Sequence, residues 1–183
     1  MIPKNVKAII EFLLKHITEP GYNVNQLARE LDISVSRSHE IVTDLKSKDM
    51  VQVIDLKTAI YYSLNLNSLD TIDICKILLR EEQRNLKPVL KIYAQELKKF
   101  EHSLFTIIFG SILEKKDFRD VDVLFITNKV REVNIFCQSL AKIRSKPVHP
   151  LIMTQEDFIN NLKKRDAVVL DIIKKGKVIK GEE

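Results

Sequence analysis

The run Asp120-Val121-Asp122-Val123-Leu124-Phe125-Ile126 does most to restrict what this chain can fold into. Its β-branched and aromatic residues predict a strand, whose period of two puts Asp120 and Asp122 on one face and Val121 and Val123 on the other. Two carboxylates side by side at the head of an apolar strand repel each other, and a divalent cation between them makes the pair favourable. Upstream, residues 104–109 form a second apolar run of strand length, ending in Gly110-Ser111. Gly110 permits a tight backbone turn, and the Ser111 hydroxyl and N–H suit a phosphate oxygen at a helix start. Asp120 and Asp122 are therefore candidate metal ligands and catalytic residues, and Gly110 and Ser111 candidate nucleotide-binding residues. A solvated strand start is the alternative reading of the two aspartates.

The rest of the C-terminal part completes a small α/β unit. Residues 133–143 read as a helix, 147–153 as a third strand, and 155–162 and 167–175 as terminal helices, the last closed by Gly176. Thr154 and Asp157 have the spacing of a capping-box variant. Lys163-Lys164-Arg165 and Lys174-Lys175 are basic clusters, open to phosphate contact or to simple solvation at helix ends.

Strand, Gly-Ser, short charged helix and Asp-x-Asp on the next strand, in that order across about residues 88–180, resemble the minimal nucleotidyltransferase family of the polymerase β superfamily. The resemblance implies that Gly110-Ser111 grips the triphosphate of a nucleoside triphosphate and that Asp120 and Asp122 ligate Mg2+. Members of that family add a third carboxylate on a later strand, in a segment like Pro-Val-Asp. Here the segment reads Pro147-Val148-His149, so His149 stands where the acid is expected. A neutral imidazole can ligate a metal but adds no negative charge, and Mg2+ prefers oxygen. The replacement points to a domain that binds a nucleotide with catalysis weakened or lost. The enzyme alternative is an Mg-dependent nucleotidyltransferase moving a nucleoside monophosphate to a protein, RNA or small-molecule acceptor. Families of this kind can act within toxin–antitoxin pairs, which would make a partner protein the acceptor.

The N-terminal third has a different rhythm. Pro3 suits the first turn of a helix, and Val6, Ile9, Ile10, Leu13, Leu14 and Ile17 then form one apolar face before Pro20-Gly21 stops it. A second helix over residues 25–31 buries Leu27, Ala28 and Leu31. After Asp32-Ile33, Ser34 is the predicted N-cap of a third helix with Ile41, Val42 and Leu45 inward. Residues 50–54 and 59–64 read as paired strands around a hairpin tip, Asp55-Leu56-Lys57-Thr58.

The segments Asn25-Gln26-Leu27-Ala28-Arg29-Glu30-Leu31, Ile33-Ser34 and Leu45-Lys46-Ser47-Lys48-Asp49-Met50-Val51 resemble the winged-helix transcription regulators, including the multiple-antibiotic-resistance and arsenic-repressor types, over about residues 4–65. Asp49 stands where that family often has Gly. The resemblance implies double-stranded DNA as partner, with the third helix in the major groove and the wing tip on the backbone. The candidate DNA-binding residues are then Ser36, Arg37, His39, Thr43, Lys46 and Lys57. Arg37 and His39 suit base edges, and Ser36, Lys46 and Lys57 suit phosphates.

Charge bears on this reading. The chain has a net charge of +5, yet residues 1–66 hold eight Lys/Arg against eight Asp/Glu. The excess lies in residues 104–183, with fifteen against eleven. Bulk electrostatics therefore does not draw the N-terminal part to DNA, and a winged helix used only for protein contacts is the competing reading.

The expected fold class is α+β: a winged helix-turn-helix domain at 1–66, a helical connector at 67–87, and an α/β nucleotidyltransferase-like domain with a mixed sheet at 88–183. The connector carries Leu69, Ile72, Ile74, Ile77 and Leu78 at helical spacing. It either packs on its own chain or forms a homodimer surface, as flanking helices do in two-fold regulators. A further helix from Pro88 to about Phe100 is expected to bury Val89, Leu90, Ile92, Tyr93, Leu97 and Phe100. No apolar run reaches the length of a membrane span, and no signal peptide is visible, so the cytoplasm is the expected location. Cys75 and Cys137 fit buried thiols of a reducing compartment.

Overall fold

The computed structural model describes residues 2–115 and 117–181. It is an α+β fold in which the chain divides into two compact units, Met1–Leu78 and Leu79–Glu183. The division falls inside a helix, α4 (Leu69–Arg84), within the segment read as a connector. Among the described residues no helix is long and apolar enough to cross a membrane.

Unit 1 begins with α1 (Lys4–Lys15), α2 (Val24–Leu31) and α3 (Val35–Ser47), followed by β1 (Val51–Asp55) and β2 (Ile60–Leu64) in an antiparallel pair. Pro3 occupies the N-cap of α1 rather than its first turn. Asn23 and Gln26 close α2 with a reciprocal capping box, and Asp32 ends it in the left-handed conformation. The Ser34 side chain accepts the Arg37 N–H at 3.1 Å, so the predicted cap of α3 is formed. Asp49 adopts φ 56°, the conformation that favours glycine at this position, and hands the chain into β1. One core gathers Ile9, Ile10, Leu13, Leu27, Ile41, Val42 and Leu45 with the hairpin's Val51, Tyr62 and Leu64.

The first turns of α4 join this core through Thr71, Cys75 and Leu78. Of the apolar line read there, Leu78 is buried and Ile74 packs against the core, while Leu69 and Ile77 are 76% and 47% exposed. The buried line also includes a hydroxyl and a thiol, small enough for close approach, with Thr71 Oγ1 donating to Met50 O at 3.3 Å.

Unit 2 contains the end of α4, then α5 (Pro88–Leu97), β3 (Phe105–Phe109), α6 (Ser111–Glu114), β4 (Val121–Ile126), α7 (Val130–Ile143) and β5 (Val148–Met153). It closes with α8 (Gln155–Lys163), α9 (Ala167–Lys175) and β6 (Lys177–Lys180). The four-stranded sheet has the order β5-β4-β3-β6; β4 and β5 run parallel and the other pairs antiparallel. Strand alternation gives each face its own core. Val121, Val123 and Phe125 pack with Leu90, Tyr93 and Leu97 of α5 and Val133, Cys137 and Leu140 of α7. Leu124 and Ile126 pack with Ile107 and with Ile172 of α9 on the opposite face.

Three expectations change here. Val89 and Ile92 are 45% and 43% exposed, because α5 turns Leu90, Tyr93, Ala94 and Leu97 inward. The helix ends at Leu97, short of Phe100. Leu104 lies outside β3 and is exposed. The strand β6 was not foreseen; it lies beside β3, and Gly176 lets the chain pass close to it. A Cβ on Gly176 would stand 2.5 Å from Ile107 Cγ2 and 2.4 Å from Ile172 O.

Candidate metal centre

Three side chains meet at one end of the sheet of unit 2. Asp120 immediately precedes β4, and Asp122 is its second residue. His149, the second residue of β5, pairs in register with Asp122. Neighbouring residues of parallel strands point to the same face, so Asp122 and His149 project together. That face is the one on which Leu124, Leu151 and Met153 enter the core. Farther along the strands the cover comes from α9 and α8; at the start, Asp122 is half-buried and His149 exposed. One ligand atom from each of Asp120, Asp122 and His149 lies within 4.8 Å of the others, so the group can hold a metal ion.

The local electrostatics agree with the geometry. Burial, and then the negative charge of Asp120, push the Asp122 carboxyl above its ordinary range; His149 acts in the opposite direction. His149 Nδ1 lies 3.3 Å from Asp120 Oδ2, which orients the ring and leaves Nε2 as its other nitrogen for a ligand.

Gly110 completes the site for a steric reason. It follows β3, whose last residue, Phe109, pairs with Asp122. Its φ is 78°, and a Cβ there would stand 2.2 Å from Asp122 Oδ2. The glycine thus gives space to a carboxylate, a role beyond the tight turn and nucleotide contact expected of it. Ser111 opens α6, which is a single turn of four residues. A helix this short has little macrodipole, so any anion affinity at this end rests on the free N–H groups and the Ser111 hydroxyl.

The other predicted set lies in unit 1. Ser36, Arg37, His39, Thr43 and Lys46 are all exposed on α3, and Lys57 sits at the hairpin tip with φ 64°. At 100° per residue, Ser36, His39, Thr43 and Lys46 share a face, while Arg37 lies to one side. Glu40, absent from the sequence reading, falls between them and pairs with Arg37 at 3.0 Å. Asp44 pairs with Lys48 at 2.7 Å. Helical spacing alone was enough to place both acids on this outward face.

Comparison with protein-family models, with curated proteins and with solved structures finds no match for this chain. The functional reading therefore rests on the residues and their geometry.

Proposed function

We propose that this protein is a DNA-binding regulator whose second unit binds a divalent cation together with a nucleotide. The observation that carries the second half is the convergence of Asp120, Asp122 and His149 within 4.8 Å, beside a glycine that leaves room for one of the carboxylates. Like charges drawn from the start of β4 are costly unless a cation neutralises them, and a cation held there offers its remaining positions to phosphate oxygens. Gly110 and Ser111 border that position. Two carboxylate oxygens and one imidazole nitrogen suit Mg2+ less than an all-oxygen set, and favour a first-row transition ion such as Mn2+. His149→Asp is expected to shift relative affinity toward Mg2+ by about tenfold, read by calorimetric titration of each ion.

For the DNA-binding half, support comes from α2 and α3 joined by the short turn through Asp32 and Ile33, from the uncovered outer face of α3, and from the hairpin that follows. This is the arrangement expected of a winged helix with α3 as its recognition helix.

Thermal melting with MnCl2 or MgCl2 and each nucleoside triphosphate, on wild type and Asp120→Asn/Asp122→Asn, tests the site. A metal-dependent rise in Tm that the double variant loses supports it, since ligands of the native state stabilise by mass action. No rise at millimolar ligand overturns it. Gel shifts with duplex DNA at low salt test the first unit, where failure to bind any duplex removes the regulator reading. The transferase reading is favoured by the same three-residue geometry. Pyrophosphate release that requires both aspartates would select it over nucleotide binding alone.

A further inference from the structure

A second feature of unit 2 lies among its helices. The end of α4 and the length of α5 line a cavity of about 520 Å3, into which Arg80, Arg84, Lys91 and Lys98 project with the amides of Gln83 and Gln95. None of the lining residues is acidic. Of the acids nearby, Glu82 pairs with Lys177, and Glu96 with Lys99 and Arg144. Among the described residues Arg80, Arg84 and Lys91 form no ion pair, whereas Lys98 Nζ donates to Gln83 Oε1 at 2.6 Å. Gln83 Nε2 is buried and has no hydrogen-bond acceptor.

We infer that this cleft binds a phosphate-rich chain, the backbone of a nucleic acid or a polyphosphate. Four cations in one cleft without a carboxylate repel one another, and an anion converts that repulsion into attraction. Guanidinium groups match phosphate oxygens two at a time, which a single carboxylate-sized anion would not exploit across both helices. The helical rise sets Arg80 and Arg84 about 6 Å apart along α4, and Lys91 and Lys98 about 10 Å apart along α5. That span exceeds a single phosphate, so a chain of linked phosphates reaches cations on both helices where an isolated one would not. No aromatic side chain lines it, so there is no platform for base stacking, and recognition runs through phosphate. The inference is independent of the metal centre and of the α3 face.

The test is fluorescence anisotropy of the full chain with a mixed-sequence single-stranded oligonucleotide of about 20 nucleotides, titrated with NaCl. The cleft variant is Arg80→Gln/Arg84→Gln/Lys91→Gln; all three side chains are exposed, and thermal melting checks that the fold persists. Lys129→Gln/Arg131→Gln/Lys142→Gln, three exposed cations at α7, serves as the control. The cleft variant is expected to weaken binding at least tenfold at low salt and to reduce the slope of log K against log salt by about 2. The control is expected to retain both. Inorganic triphosphate that displaces the oligonucleotide identifies a free polyphosphate as the source, and failure to displace it identifies the polymer. Poly-glutamate displacing the probe as readily as triphosphate would overturn the phosphate assignment. So would absence of binding at low salt, or a loss in the α7 control as large as in the cleft variant.

Discussion

The outward face of α3 and the open end of β4 and β5 both carry charged side chains, and they satisfy them in opposite ways. On α3 each acid has a base one turn away: Glu40 with Arg37, Asp44 with Lys48. Such pairs form within a single helix and cost the fold almost nothing. At the sheet end, Asp120 and Asp122 are brought together by one strand and meet His149 from another, and burial raises the Asp122 carboxyl. The repulsion between the two carboxylates opposes the fold, and a bound cation would relieve it. Charge that is locally paired says little about ligands, whereas like charges made to converge, with a glycine to admit them, say a good deal.

The sharpest way to break this contrast is Asp120→Asn/Asp122→Asn. Removing both carboxylates should lower Mn2+ affinity at least about 100-fold, or about 2.7 kcal/mol, because outer partners of metal ligands alone are worth up to that factor. Calorimetric titration measures it. The metal-free variant should also melt higher than wild type at pH 7, since the repulsion is gone. If it melts lower, the convergence does not strain the fold and the argument from cost is lost.

Gly110→Ala comes next. The left-handed φ of 78° and the 2.2 Å approach of the new Cβ to Asp122 Oδ2 make the residue both strained and clashing. A non-glycine residue held in such a conformation costs about 1–3 kcal/mol. Urea unfolding should show that loss, and metal titration should show weakened binding as Asp122 is pushed aside. A variant as stable as wild type would mean the loop moves away freely and that the glycine serves no packing purpose.

Much of this was readable from residue order because the signals were local. The strand at Val121–Ile126, its two-residue alternation, the Ser34 cap and the Thr154–Asp157 capping box depend on neighbours within a few positions. His149 could be marked as a substitute for an acid, yet its meeting with Asp122 required the parallel register of β4 and β5. Which apolar residues of α4 and α5 face the core was hidden for the same reason. Apolar residues can line either side of a helix, and which side is covered depends on elements distant in sequence, so Leu69, Ile77, Val89 and Ile92 are exposed. The strand β6 escaped notice because Lys177 and Lys180 leave it only two apolar residues, Val178 and Ile179. Its identity comes from pairing with β3.

Ser34→Ala sharpens the comparison from the side of unit 1. The Ser34 oxygen satisfies the Arg37 N–H, which has no partner within the helix. Losing a serine N-cap costs about 1 kcal/mol, measurable by urea unfolding. The effect should appear in stability and leave Mn2+ affinity unchanged. An altered metal affinity would show that unit 1 influences the metal centre.

Arg37→Ala has the smallest expected effect on the fold and the most to say about the face it leaves. Arg37 and Glu40 are 45% and 60% exposed, so their attraction is screened by water and offset by side-chain ordering. Exposed pairs of this kind contribute at most about 0.5 kcal/mol, and stability should change by no more than that. DNA binding would respond differently. If α3 meets DNA, Arg37→Ala should weaken it, and the slope of log K against log salt should fall by about 1 if the contact is a phosphate. Glu40→Gln should strengthen it, because the carboxylate opposes the phosphates and occupies the guanidinium that would contact them. Unfolding that shifts by more than 1.5 kcal/mol in Arg37→Ala would instead make this pair a structural element of α3, and the face would lose its standing as a surface free to bind.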